Sequence, residues 1–149
     1  MNFFIVKMED KERKVQEKYI ELKTLEQHIK ELQSQLEMVT NQLFELTVTS
    51  NSIGEFSKIN SGKEVFVPLS SGIFAKAAIK DTSELLVNVG ANIVVKKDIA
   101  STKKLIQDQA EEIKKVQSRM VNELEKIANH AAQLESQLQS LVSQQYPEQ

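Results

Sequence analysis

The sequence predicts a mainly α-helical chain in which two long helices, joined by two β-hairpins, fold back into an antiparallel coiled coil. Apolar residues repeat in heptads toward both ends of the chain, whereas residues 64–97 are rich in β-branched residues and turn signals. The 149 residues include only 4 glycines and 2 prolines, and 5% are aromatic. This composition suits long helices better than a compact globular core.

The first helix is predicted from heptads that run from Val15 to Leu46. One apolar series has members seven residues apart, a second follows it three residues later, and only Lys18 interrupts the second. The two series are Val15, Leu22, Ile29, Leu36 and Leu43, and then Leu25, Leu32, Val39 and Leu46. Such a narrow seam, flanked by Glu, Lys and Gln, is typical of a coiled coil. We expect the helix to end near Ser57, with a loose stretch over Thr47–Ser52, where β-branched and polar residues are poor helix formers.

The middle of the chain contains four short apolar runs separated by turns of two or three residues. The runs are Val65–Leu69, Ile73–Lys80, Leu85–Val89 and Ile93–Lys96, and they predict two successive β-hairpins. Pro68 indicates a strand end or an edge strand, because proline has no N–H for a central ladder.

Two isolated hairpins cannot bury their apolar faces in water, and no other segment of the sequence predicts a strand. We therefore predict that the hairpins close an inter-subunit β-barrel, since closure removes the exposed edges. The residues assigned to this oligomerisation surface are Val65, Val67, Ile73, Phe74, Leu85, Val87, Val89 and Ile93.

The second helix is predicted to begin after Asp98, a good N-cap residue, and to run over Ile99–Gln144. Its seam has an apolar residue at every seventh position: Ile99, Ile106, Ile113, Met120, Ile127, Leu134 and Leu141. The chain is interpreted as a single domain, 1–149, divided into a helix (1–60), the hairpins (61–98) and a helix (99–149). At 1.5 Å per residue, each helical arm would extend about 65 Å from the hairpins.

The sequence offers little support for catalysis or for cofactor binding. The four glycines form neither a dinucleotide-binding nor a P-loop motif, and cysteine is absent. His28 and His130 lack the spacing of metal ligands, so both are interpreted as solvated residues beside the seams. A net charge of −2 gives no electrostatic case for nucleic acid, and no apolar run approaches the length of a membrane span. We therefore predict a protein that is not an enzyme, with no cofactor, no metal, no nucleic-acid partner and no membrane partner.

Apolar residues at the two ends of the chain would meet at one tip of an antiparallel pair. The predicted tip surface comprises Phe3, Phe4, Ile5, Val6, Met8, Leu138, Leu141 and Val142. Exposed apolar clusters mark binding surfaces. In the alternative interpretation, Leu134 and Leu138 pack against Val15 and Leu22, and residues 1–7 form a tail.

The connector carries a resemblance to a known family. The segments VFVPLSSGIFAKAAIKD (residues 65–81) and LLVNVGANIVVKKD (residues 85–98) resemble the hairpins of alpha-class prefoldin subunits, and the likeness covers nearly the whole chain. Two hairpins favour the alpha class, since beta-class subunits carry one. The turn Ser70-Ser71 and the apolar start MNFFIVK depart from the family pattern.

The resemblance implies an ATP-independent chaperone of the cytoplasm. Two alpha-type and four beta-type prefoldin subunits would form a hetero-hexamer, whose tips hold non-native polypeptides and pass them to a group II chaperonin. Two alternatives remain open: a structural or tethering coiled coil, and a homo-oligomeric or filament-forming prefoldin relative.

Overall fold

The computed structural model describes the backbone of residues 2–145 and the side chains of residues 8–144. The order of elements is α1 (Asn2–Phe56), β1 (Glu64–Ser70), β2 (Ile73–Ala78), β3 (Glu84–Asn88), β4 (Val94–Asp98) and α2 (Ile99–Gln145). The predicted fold class is confirmed: two long helices flank two small antiparallel hairpins. The chain divides into two compact units, one of residues 1–40 with 116–149, and the other of residues 41–115.

In the unit formed by residues 1–40 and 116–149, the two helices run antiparallel. In the contacts between the two helices, the residue number in α2 falls as the residue number in α1 rises. These contacts are Lys18 with Gln137 (2.7 Å), Glu21 with His130 (3.3 Å), His28 with Glu123 (4.0 Å) and Thr40 with Gln117 (2.9 Å).

The heptad residues form the core of this helix pair. Leu32, Ala131 and Leu134 are buried, and the other seam positions are half-buried between exposed neighbours. Lys18, which interrupts the second apolar series of α1, and Gln117, a half-buried polar residue of α2, each form a hydrogen bond with a polar side chain of the opposite helix. A polar residue at a seam position can form its hydrogen bond in only one register of the two helices. It therefore helps to specify that register.

In the unit formed by residues 41–115, α1 continues as an unbroken helix to Phe56, so the predicted loose stretch over Thr47–Ser52 is wrong. Thr47 and Thr49 donate their hydroxyls to the carbonyls of Leu43 and Glu45, which occupies side-chain groups that would otherwise compete with the backbone. Ile53, at the next seam position, is buried. Packing along the seam therefore outweighs the low helix propensity of this stretch.

The hairpins follow the predicted order with small shifts of their ends. In the first, Val65 pairs with Ala77, and the ladder is irregular between Pro68 and Ser70, as expected for a proline on an edge strand. Its turn consists of Ser71 and Gly72. In the second hairpin, Val87 pairs with Val95.

The turn of the second hairpin has an unusual backbone. Ala91 and Asn92 have φ angles of 48° and 59°, in the left-handed region that two-residue hairpin turns require. Val89 and Ile93 flank this turn outside β3 and β4, and the backbone N–H of Val89 donates to the carbonyl of Ile93 at 3.0 Å. The predicted run Leu85–Val89 therefore extends one residue beyond β3, which ends at Asn88.

Asp98 caps α2 as predicted, since its carboxylate accepts the backbone N–H of Ser101 at 2.6 Å. That hydrogen bond, together with the bond from the Ser101 side chain, holds the pKa of Asp98 below its ordinary value of 3.8. A depressed folded-state pKa contributes stability that is present above the unfolded-state value and is lost as pH falls through the folded-state value.

We expect Asp98→Asn to keep the cap at neutral pH, because asparagine is also a good N-cap residue. The thermal midpoint of the parent should fall relative to that of Asp98→Asn once the pH drops below about 3.8, because the unfolded chain then binds a proton at Asp98 more readily than the folded cap does. Circular dichroism melts between pH 7 and pH 2.5 measure this difference. Parallel acid profiles for the two proteins would contradict the assignment of the cap.

Candidate functional site

Two exposed apolar surfaces stand out among the described residues, one in each compact unit. The first lies on the helix pair of residues 1–40 and 116–149, and the second lies on the hairpins of residues 41–115. Large apolar side chains in water carry a free-energy cost, so each surface is a candidate for binding another molecule.

The first surface is a groove along one side of the helix pair, which we call the edge groove. It has a volume of about 350 Å³ and is lined by Val15, Gln16, Tyr19, Ile20, Leu138 and Val142. Tyr19, Ile20 and Val142 are 54%, 65% and 46% exposed. Val15 and Leu138, which also line it, are half-buried.

Tyr19, the aromatic residue of the edge groove, lies beside a charged pair. The ammonium group of Lys23 lies 5.5 Å from the centre of the Tyr19 ring. Lys23 also donates a hydrogen bond of 2.7 Å to Glu26. That hydrogen bond, together with the charge of the carboxylate, raises the pKa of Lys23 above its ordinary value of 10.5.

The structure separates the predicted tip residues. Leu138 and Val142 line the edge groove, but Leu141 is half-buried on another side, in a cavity that Lys18, Gln137 and two serines also line. Met8 is 52% exposed and does not line the edge groove. The side chains of Phe3, Phe4, Ile5 and Val6 lie outside the described residues.

Leu134 is only 4% exposed and therefore adds little to any binding surface. Sequence reasoning missed Tyr19 and Ile20, although a signal was present. Both are apolar residues outside the heptad series, directly after the charged seam residue Lys18.

The second candidate is the set of exposed apolar side chains on the two hairpins, which together we call the hairpin surface. Phe66 and Leu86 are its most exposed members, at 73% and 71%. Its members are Phe66, Val67, Leu69, Ile73 and Phe74 on the first hairpin, and Leu86, Val89, Ile93 and Val94 on the second. Both hairpins are two-stranded, so their strands also carry unpaired backbone edges.

Five of the eight residues assigned to oligomerisation belong to the hairpin surface: Val67, Ile73, Phe74, Val89 and Ile93. The other three, Val65, Leu85 and Val87, are half-buried. Four further apolar residues of the hairpins are exposed although the sequence analysis did not assign them to oligomerisation: Phe66, Leu69, Leu86 and Val94. A short run of consecutive apolar residues does not reveal which of them the subunit itself covers.

The described residues contain neither a cluster of metal ligands nor a membrane-spanning helix. Between residues 8 and 144, no three His, Asp or Glu side chains converge as metal ligands would. His28 and His130 each face a glutamate of the opposite helix. No helix in this part of the chain has an apolar stretch long enough to cross a bilayer.

Comparisons with known proteins agree on one family. The family model described as Prefoldin subunit matches residues 25–144. The prefoldin subunit alpha of Thermofilum pendens is 28% identical over 118 residues, which cover 79% of this chain and 92% of that relative. The prefoldin subunit alpha of Archaeoglobus fulgidus is 25% identical, with 85% of this chain and 93% of the relative covered.

A solved structure shares the fold at low sequence identity. The cryo-EM structure of filamentous PFD from Methanocaldococcus jannaschii superposes with a TM-score of 0.69 at 16% identity, over 77% of this chain and 95% of the neighbour. At that identity the likeness concerns the fold alone.

Proposed function

This chain belongs to the prefoldin subunit family, and we propose that, as a chaperone subunit of that family, it holds non-native polypeptides without ATP and passes them to a group II chaperonin. The observation that carries the proposal is the edge groove: a small, uncharged apolar surface exposed on a helix pair. A holdase needs apolar area that accepts many sequences, and it needs no walled pocket for chemistry.

We propose beta-type prefoldin subunits as the assembly partners, in a complex of two alpha and four beta subunits in the cytoplasm. The alpha class of several relatives supports this assignment. The hairpin surface supports it physically, because its exposed apolar side chains and unpaired strand edges call for a partner sheet. The single-domain division into 1–60, 61–98 and 99–149 is part of the same proposal.

A second candidate is a filament built from copies of this chain. The specific observation that favours it is the shared fold with a protein described as filamentous PFD. The same hairpin surface would then join identical subunits. A hexamer closes on itself, whereas a head-to-tail interface that does not close yields a filament.

The decisive experiment uses the complex purified from its own cells. A denatured client is diluted into buffer with or without the complex, and aggregation is followed by light scattering. We expect equal suppression with and without ATP, because the sequence has no phosphate-binding loop. Absence of suppression would favour a tethering protein, and a requirement for ATP would contradict the proposed mechanism.

Native mass spectrometry of the same sample separates the two assemblies. A single mass equal to two copies of this chain and four of a second subunit supports the hexamer. A ladder of multiples of this chain alone supports the filament.

A further inference from the structure

The two hairpins have the same strand register, displaced along the chain. Adding 20 to each residue number of the first hairpin gives the corresponding pair of the second. Three pairs of the first hairpin are Glu64 with Ala78, Phe66 with Lys76 and Pro68 with Phe74, and their counterparts are Glu84 with Asp98, Leu86 with Lys96 and Asn88 with Val94. Each strand position therefore has a counterpart in the other hairpin, and a difference between counterparts shows what one hairpin has that the other lacks.

On each hairpin, the most exposed apolar side chain lies directly opposite a lysine. Phe66 pairs with Lys76, and Leu86 pairs with Lys96. Directly paired side chains share one face of the ladder, with Cβ atoms about 5 Å apart. A partner that docks on Phe66 or Leu86 therefore also meets the lysine beside it.

The two lysines differ in whether their charge is compensated within the subunit. The ammonium group of Lys76 lies 2.8 Å from the carboxylate of Glu64. Glu84 and Lys96 occupy the same two positions of the second hairpin, yet within the described side chains of residues 8–144 neither of them forms an ion pair. Both side chains are exposed in the subunit.

The neighbouring carboxylates of the second hairpin are engaged by other groups. Asp98 accepts the backbone N–H of Ser101 as the cap of α2. Asp81 accepts the backbone N–H of Ser83 at 2.8 Å and its hydroxyl at 2.7 Å. Hydrogen bonds from Ser83 lower the pKa of Asp81, and the charge of Lys96 adds to that shift without an ion pair between the two. The subunit thus leaves the charge of Lys96 available to another molecule.

We propose that the second hairpin selects its partner by charge as well as by apolar area, such that Lys96 receives a carboxylate from a second kind of subunit and Glu84 receives a cation from it. The first hairpin, whose lysine and glutamate are already paired, contacts its partner through apolar side chains alone. This inference rests on the proposed function and deepens it, because it states the chemistry that the partner presents.

A second copy of this chain fits the second hairpin less well than a different subunit. The face around Leu86 carries two carboxylates, Glu84 and Asp98, and one ammonium group, that of Lys96. Two such faces in contact would double this imbalance, and like charges brought together at an interface disfavour association. A different subunit can supply the missing cation together with the carboxylate.

A zero-length carbodiimide cross-linker tests the contact in the complex purified from its own cells. The reagent joins an amine to a carboxylate only where the two groups touch. Peptide mass spectrometry should find Lys96 joined to an Asp or Glu of the second subunit. Lys76 joined to Glu64 is the internal control, because that pair exists within the subunit. Lys96 left unlinked, or linked only to carboxylates of this chain, would overturn the inference.

The counterpart lysines also provide a matched pair of variants, Lys96→Met and Lys76→Met. Sedimentation velocity of diluted complexes, at about 50 and 500 mM NaCl, gives the concentration at which half of each complex is dissociated. For the parent, this concentration should rise about tenfold between the two salts. Lys96→Met should raise it about tenfold at the lower salt and reduce the response to salt to less than about threefold, because a screened charge pair is lost.

Lys76→Met should stay within about twofold of the parent at both salts, since Lys76 is compensated by Glu64 in the free subunit. Circular dichroism of both variants should retain the helical signal. Equal losses of assembly in the two variants, or a response to salt in Lys96→Met that matches the parent, would contradict the assignment of the charge contact to the second hairpin.

Aggregation suppression by the same samples distinguishes a failed inference from a failed function. If the parent complex contains a second kind of subunit and suppresses aggregation, but Lys96→Met assembles as the parent does, the inference fails and the chaperone function stands. If the complex contains copies of this chain alone, or does not suppress aggregation, the proposed function fails and the inference falls with it.

Discussion

Leu86→Asp is expected to convert the assembled complex into free subunits. Leu86 is 71% exposed in the subunit, so its own hairpin tolerates the charge, whereas a partner sheet would have to bury an unpaired carboxylate. The cost should weaken association at least about a hundredfold. Native mass spectrometry should show loss of the full assembly, while far-ultraviolet circular dichroism retains the helical signal.

Leu86 is a better test position than Val87 because Leu86 is exposed in the subunit whereas Val87 is half-buried. Val87 is half-buried within the subunit and pairs with Val95, so a charge there would also disturb the hairpin itself. Ser71→Asp serves as the control, because it adds the same charge in the exposed turn of the first hairpin. An intact assembly of the Leu86→Asp subunit would exclude the hairpin surface around Leu86 from the interface.

Removing residues 1–12 together with residues 138–149 is expected to abolish most client holding while assembly persists. The deletion takes away Leu138 and Val142, and with them the whole α2 wall of the edge groove. It leaves all four strands in place. Because several weak sites acting together give avidity, loss of one wall in every copy should raise the amount of complex needed for half-maximal suppression about tenfold or more.

Smaller substitutions refine this expectation. Val142→Ser alone should reproduce part of the loss, since Val142 lines the edge groove. Leu141→Ser should have less effect on client holding, because Leu141 is half-buried beside Lys18 in a different cavity. Light scattering is read alongside the native mass of each variant. A truncated complex that holds its client as well as the parent would rule out this end of the helix pair as the holding site.

The heptad pattern predicted both helices, and the compact connector between them predicted their antiparallel pairing. Seam periodicity is a property of the sequence itself, and Asp98 marked the start of α2 through local capping chemistry. Low helix propensity gave a wrong prediction at Thr47–Ser52, where the helix is continuous. The hydroxyls of Thr47 and Thr49 donate hydrogen bonds to backbone carbonyls of the helix, and Ile53 is buried at the next seam position.

The residues of the two candidate surfaces were predicted only in part, because the packing of the helices and strands decides which apolar side chains are exposed. The sequence by itself determined the two helices, the two hairpins, the cap at Asp98 and the family, because each depends on periodicity or on a local motif. Only the tertiary structure decided that Leu134 is buried, that Tyr19 and Ile20 join Leu138 and Val142 in one groove, and that Phe66 and Leu86 face outward. The physical reason is that an apolar side chain is covered or exposed according to which side chains of the other helix or strand lie opposite it. That relation depends on the register of the pair, and no stretch of sequence shows it alone.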